Sequence, residues 1–308
     1  MTVPIDPAIL PELPGSGGLV DHLVFSPDGE VLISSDVHSV VTAWCDGVPL
    51  WKLDLSRRFG FPRRGGQVRS LAFSKGGEAL YVATPGRVLA VDAASGQIRW
   101  SKELPRTWCF LVVRPNGLAV RPSGHIVCSL ENGYFVVWDD AGREMAKWYD
   151  NDAPRYFGLL SDGVHLLGVD RFTLALWHLD RREKLTTSES AEAIHAFGMA
   201  RGVPTVATRS LDAIEVWDMQ SATRILRVGI KTGRPLLAIA PHSPILIFAE
   251  EGRLHLMDFE GRRIGVILTD AVCLAFRDQG DDLAIGLADG RILLCRLGLS
   301  ERERPALS

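Results

Sequence analysis

The chain has 308 residues, of which 46% are hydrophobic and 23% charged, and its formal net charge is −3. Those values fit a packed globular protein and exclude both a disordered chain and a polybasic one drawn as a whole to nucleic acid or acidic membranes. At this length the chain is either two ordinary domains or one large all-β domain.

The opening residues, MTVPIDPAILPELPGSGG, hold no basic segment followed by a continuous apolar run. No later apolar run approaches the roughly 20 residues of a membrane span, so the expectation is a cytoplasmic protein without membrane association. Cys45, Cys109, Cys128, Cys273 and Cys295 are an odd set without a CxxC spacing, which suits a reducing compartment better than a disulfide framework. Cys128 and Cys295 fall inside apolar strand runs and read as small core residues.

From residue 23 onward one pattern recurs, and it is clearest over residues 118–144, LAVRPSGHIVCSLENGYFVVWDDAGRE. Three short apolar runs, 118–120, 125–130 and 134–138, are separated by Pro-Ser-Gly and Glu-Asn-Gly, which reads as strands joined by tight turns. Asn132-Gly133 has the form of a two-residue type I′ hairpin turn. Versions of this unit start at Leu23, Leu71, Leu118, Phe157, Phe197, Leu237 and Leu274, with spacings of 48, 47, 39, 40, 40 and 37 residues. The last bulky residue of the third strand gives the same count: Trp44, Val91, Trp138, Trp177, Trp217, Met257 and Cys295. Two anchors agreeing on seven units argue for an internal repeat of about four strands.

The strand runs VLISS, VVTAW, YFVVW, TLALW and ILLCR are nearly continuous in apolar residues, as in sheets covered on both faces. Stacking such units around an axis buries both faces of every unit, whereas a linear stack would need polar caps that neither terminal repeat supplies. The expected fold is all-β: a seven-bladed β-propeller of four-stranded antiparallel blades. It would form a single domain over residues 1–298, with 299–308 a short polar tail. The seventh unit has three strands, and residues near 3–10 are expected to pair with the strand around 291–296 and close the ring. Pro4, Pro7 and Pro11 weigh against this pairing, although an outer edge strand tolerates them.

The units resemble WD40-type repeats, on the first-strand motif LVFSPDG at 23–29 and the third-strand endings VVWD at 136–139 and EVWD at 215–218. That family's turn aspartate, six residues before the Trp position, is matched by Asp289 alone, and no Gly-His dipeptide precedes any unit. The family's Asp-His-Ser-Trp network is therefore expected to be essentially absent. The second unit, GRVLAVDAASGQIRW, is more similar to a quinoprotein-type propeller repeat. The resemblance implies a degenerate, bacterial WD40-like propeller.

No GxSxG, HExxH, P-loop or Rossmann fingerprint is present, and the eight histidines never stand at close metal spacing. No cofactor and no metal are expected. Carboxylate-glycine pairs such as Asp28-Gly29 and Asp289-Gly290 read as turn chemistry rather than calcium ligands. Repeat geometry leaves one stretch unexplained, LSRRFGFPRRGGQ at 55–67, with Arg57, Arg58, Arg63 and Arg64 around Phe59 and Phe61. Arginine forks pair with carboxylate or phosphate and aromatics supply contact area, so this connection is a candidate recognition loop; the alternative is a solvated connector. In a propeller it would share a face with Arg106 and Trp108 on the next long connection, with Arg155 and Tyr156, and with Arg171, Arg209, Lys231 and Arg234. Trp108 could equally pack over the second unit.

Three functions follow. The first is a non-catalytic protein-interaction scaffold or adaptor, docking a partner's acidic or phosphorylated segment on that face. The second is an enzyme using the central channel, lactonase-like or quinone-dependent, against which stand the small residues Ala72, Ala119, Gly158, Gly198, Ala238 and Ala275 on the inner strands. The third is a weak nucleic-acid contact within a larger assembly, for which one local patch is too little charge to act alone.

Overall fold

The computed structural model describes residues 8–9, 12–15, 17–59, 68–104, 113–200, 204–241, 243–278 and 282–298. Its strands follow the turn signals of the sequence. Strand β1 (Ala8–Ile9) precedes blade 1, which holds β2 (Val20–Phe25), β3 (Val31–Asp36), β4 (Val40–Cys45) and β5 (Val48–Asp54). After helix α1 (Leu55–Phe59), blade 2 holds β6 (Ser70–Phe73), β7 (Ala79–Thr84), β8 (Arg87–Asp92) and β9 (Ile98–Glu103). Blade 3 holds β10 (Pro115–Val120), β11 (Ile126–Leu130), β12 (Tyr134–Trp138) and β13 (Glu144–Tyr149); blade 4 holds β14 (Tyr156–Leu159), β15 (His165–Val169), β16 (Thr173–His178) and β17 (Glu183–Glu189). Blade 5 holds β18 (Ala196–Met199), β19 (Thr205–Arg209), β20 (Ala213–Asp218) and β21 (Thr223–Gly229); blade 6 holds β22 (Leu237–Ile239), β23 (Ile245–Glu250), β24 (Arg253–Asp258) and β25 (Arg263–Ile267). Blade 7 is completed by β26 (Ala271–Phe276), β27 (Asp282–Leu287) and β28 (Ile292–Arg296).

Every sheet is antiparallel and four-stranded, and the first strands of the seven sheets contact one another in cyclic order, so the sheets form a closed ring. The seventh blade is closed by the N-terminus as expected: Ala8 pairs with Arg296 and Ile9 with Cys295. Leu13 extends the pairing, exchanging backbone bonds with Ile292 at 2.9 and 3.1 Å. The three prolines of this segment lie outside the described residues.

The core is divided as the ring is. Seven apolar clusters lie among the described residues, one at each interface between adjacent blades, as where Ile33 and Val41 of blade 1 meet Leu80 and Leu89 of blade 2. Second and third strands are buried on both faces, so β7 is buried at all six residues, while the fourth strands alternate, as in β17. This is why the middle strands read as continuous apolar runs.

The Trp position of the repeat marks a geometric event. In blades 1 to 6 the register between third and fourth strands slips there by one residue, between Ala43 and Trp44 and at the five equivalent sites. A bulge of this kind bends the outer strand and sharpens its twist. The indole of Trp44 donates to Ser34 Oγ at 2.8 Å and that of Trp217 to Thr208 Oγ1 at 3.3 Å. Two blades thus keep a Trp-to-hydroxyl bond where the sequence predicts essentially none, because the hydroxyl sits on the adjacent second strand whatever the turn residue is.

Two local expectations change. The turn at Asn132-Gly133 is not type I′: Gly133 alone takes positive φ, at 85°, and its N–H donates to Leu130 O at 3.0 Å. This is the geometry of a type I turn followed by a left-handed glycine. The connection from 55 begins as helix α1 rather than open loop, because Asp54 acts as its N-cap, accepting from Arg57 N at 3.0 Å and Ser56 Oγ at 2.6 Å.

Candidate functional site

Connections from a fourth strand to the next first strand emerge on the same face as the turns between second and third strands, and backbone bonds tie the two together. Leu55 N–H donates to Ser39 O, Asp150 N–H to Gly133 O, Ile194 N–H to Arg171 O and Ile230 N–H to Asp212 O, at 2.6–3.1 Å. These bonds fix a continuous surface around one mouth of the central channel.

A cavity of about 500 Å³ opens in that mouth, lined by His22, Arg69, Arg114, Asn116, Glu131, Asn151, Arg155, Tyr156 and Asp170 among others. Its three arginines each stand immediately before the first strand of blade 2, 3 or 4. Arg69 and Arg155 occupy one repeat position: each N–H donates to the last residue of the second strand but one or the last, Ala83 O and Val169 O, at 2.8 Å. His195 does the same in blade 5, donating to Arg209 O at 2.7 Å.

The charges of the cavity are unevenly satisfied. Arg155 Nε lies 3.1 Å from Asp170 Oδ1. Glu131 Oε1 accepts the backbone N–H of Arg114 at 3.0 Å, not its guanidinium. The guanidinium groups of Arg69 and Arg114 have no carboxylate partner among the described residues. His22 Nε2 is 3.0 Å from Val68 O, and burial lowers its pKa in spite of nearby Asp21, so the ring is neutral at pH 7 and donates from Nε2. The mouth therefore carries three arginines against two engaged carboxylates. Beside it on the same face, Tyr156, Phe172 and Leu211 are 44%, 47% and 67% exposed.

The opposite end of the channel differs in kind. A cavity of about 560 Å³ there is lined by more apolar residues, including Phe25, Phe73, Val120, Leu159 and Phe276, with Lys75, Arg121 and Asp278 among them. Between blades 4 and 5 the Met199 side chain packs onto Gly158, where a Cβ would fall 2.6 Å from its Cε. Among the described residues no group of three or more His, Cys, Asp or Glu side chains could hold a metal ion.

The residues singled out in the sequence distribute as follows. Arg155 and Tyr156 line the basic cavity. Arg57 and Arg58 are exposed on α1, Arg57 paired with Asp54 at 3.2 Å. Phe59 is half-buried, with the guanidinium of Arg87 5.1 Å from its ring centre. Phe61, Arg63, Arg64, Arg106 and Trp108 lie outside the described residues. Arg209 is not on the surface at all: it is 1% exposed, and its Nη1 donates to the carbonyls of Leu236 and Ala249, tying blade 5 to blade 6. Lys231 and Arg234 are paired with Glu251 and Asp270. Arg69 and Arg114 escape the sequence reading. The signal exists, an arginine just before a first strand in three successive repeats, two residues ahead of the anchor at Arg69 and Arg155, but the irregularity at the start of β10 sets Arg114 four residues ahead of Leu118.

Ring and face together define a repeat β-propeller with one decorated, polar channel mouth. The chain belongs to the family described as outer membrane protein assembly factor BamB, whose model matches residues 27–190, just over half of the chain. That match runs from the first turn of blade 1 to the end of blade 4, and so includes the three blades that supply the arginines. No individual curated protein matches the chain.

Proposed function

We propose that the protein is a non-catalytic interaction scaffold, an adaptor subunit that holds a partner protein on the face around the basic channel mouth. The observation that carries this reading is the concentration there of exposed cationic and aromatic side chains, Arg57, Arg58, Arg69, Arg114, Arg155 and Tyr156, on a chain whose net charge is −3. Arginine and tyrosine are the residues that dominate protein interfaces. The partner segment is acidic. Phe61, Arg63, Arg64, Arg106 and Trp108 lie outside the described residues and belong to the proposal by their place in the sequence, on the two long connections that follow blades 1 and 2. The WD40-type likeness of the LVFSPDG and VVWD motifs is compatible with this role, although fold-level analogy alone does not define a function.

A cytoplasmic location belongs to the proposal. Its support is that Cys45, Cys128, Cys273 and Cys295, the cysteines among the described residues, are free thiols, and cell fractionation tests it. Among the described residues, no helix is long and apolar enough to cross a membrane.

The test is affinity capture from the native host with Arg57, Arg58, Arg63 and Arg64 each changed to Glu. The variant is expected to lose the captured partner while keeping the wild-type melting temperature, since Arg57 and Arg58 are exposed. Full retention of the partner removes this connection from the binding surface.

A further inference from the structure

We propose that the basic cavity receives a carboxylate side chain, glutamate or aspartate, of an extended partner segment, gripped jointly by Arg69 and Arg114. This rests on the scaffold reading above and specifies what that face recognises. Both arginines line one cavity, and neither guanidinium has a carboxylate partner among the described residues. Charged hydrogen bonds from arginine to carboxylate are short, strong and geometrically selective, so two unspent guanidinium groups at one mouth make a specific seat.

The rest of the lining decides which anion. Glu131 and Asp170 are already engaged, with Arg114 N–H and Arg155 respectively, and they still contribute two negative charges. Three arginines against two carboxylates leave one unit of positive charge, enough to balance a monoanionic carboxylate. A dianionic phosphate would bring a second negative charge that this one unit does not balance, beside Glu131 and Asp170. His22 adds no charge, being held neutral by burial. The cavity, about 500 Å³, exceeds one carboxylate and admits neighbouring residues of an extended chain. Tyr156, Phe172 and Leu211 offer exposed apolar surface for the side chains that flank the acid.

The experiment is fluorescence anisotropy of the full chain with a short labelled peptide in which glutamate alternates with leucine and tyrosine. The same peptide with every glutamate replaced by glutamine, a phosphoserine version, and a single-stranded DNA oligonucleotide are run beside it. The glutamate peptide is expected to bind one per chain, about tenfold or more tighter than the glutamine version, and to lose about tenfold or more on Arg69→Ala with Arg114→Ala. Arg69 and Arg114 are exposed, so the double variant keeps the fold, and Arg143→Ala, at the opposite end of blade 3, leaves binding unchanged. Equal binding of glutamate and glutamine peptides, tighter binding of the phosphopeptide or DNA, or an unaffected double variant each overturns the proposal. Failure here with continued loss of host partner in the Arg57 to Arg64 variant leaves the scaffold reading standing without its carboxylate seat. Failure of both removes the face.

Discussion

His22 shows how one position can serve both fold and site. Its ring lines the basic cavity, yet its Nε2 is spent on Val68 O, and burial holds its pKa below the ordinary value of 6.5. His255 is shifted the same way, by burial and then by Arg263. A histidine kept neutral in the fold binds fewer protons than in the unfolded chain, so its contribution to stability is present at neutral pH and is lost as pH falls below about 6.5. Asp92 works lower: bonds from Arg99 and Ser95 bring its pKa down to about 2, so the stability it adds is lost only below the ordinary carboxylate range. Chemical denaturation between pH 7.5 and 5 should therefore show falling stability, and His22→Gln should flatten part of that slope. An unchanged slope in the variant would place the pH dependence elsewhere. At this scale much of the site was hidden from the sequence. Arg155 and Tyr156 could be picked out, but Arg209 looks like a surface charge until the fold buries it against two carbonyls of the next blade.

Strands and turns were legible because each is dictated locally. Continuous apolar runs such as ALYVAT and ILIFAE became fully buried strands, and turn aspartates bond their own backbone, as Asp28 does with Glu30 N–H at 3.0 Å. What could not be read was register. A bulge inserts one residue without any distinctive side chain, and the slip in β10 is what hides the alignment of Arg114 with Arg69 and Arg155. The short helix α1 was missed for a similar reason, since Asp54 signals a cap only once the following residues turn back over it. The closing element, β1, has only two paired residues, but Leu13 and the Glu12–Arg291 pair at 2.7 Å extend its hold on blade 7. Deleting residues 1–12 is expected to lower the melting temperature by roughly 5–10 °C. An unaltered melting temperature would mean that blade 7 does not need its fourth strand.

At the scale of the molecule, packing and the proposed binding surface are served by different side chains of the same connections. The seven inter-blade clusters are built chiefly from side chains of the middle strands, and the connections at the channel mouth seat buried residues in them too, as Leu55, Val68, Val113, Ala153 and Ile194 do, while their arginines face outward. Loops can therefore hold exposed arginines and aromatics without cost to the core, the general reason that binding residues sit on connections of a rigid scaffold. The seven-fold count was legible because one repeat need only resemble the next. The face was only partly legible, because a site assembled from blades 1 to 4 has no linear motif. The two mouths differ in chemistry, one lined by three arginines, the other by aromatic and aliphatic side chains with Lys75, Arg121 and Asp278 among them, and this asymmetry gives the most direct test of the central claim. Capture from the native host should be compared for two charge-reversal variants, one at Arg69, Arg114 and Arg155, the other at Arg143 and Arg262 in the third-to-fourth-strand turns of the opposite face. The account predicts that the first loses the partner held by the wild type and the second retains it, both with unchanged melting temperature; retention by the first, or loss by the second alone, would contradict it.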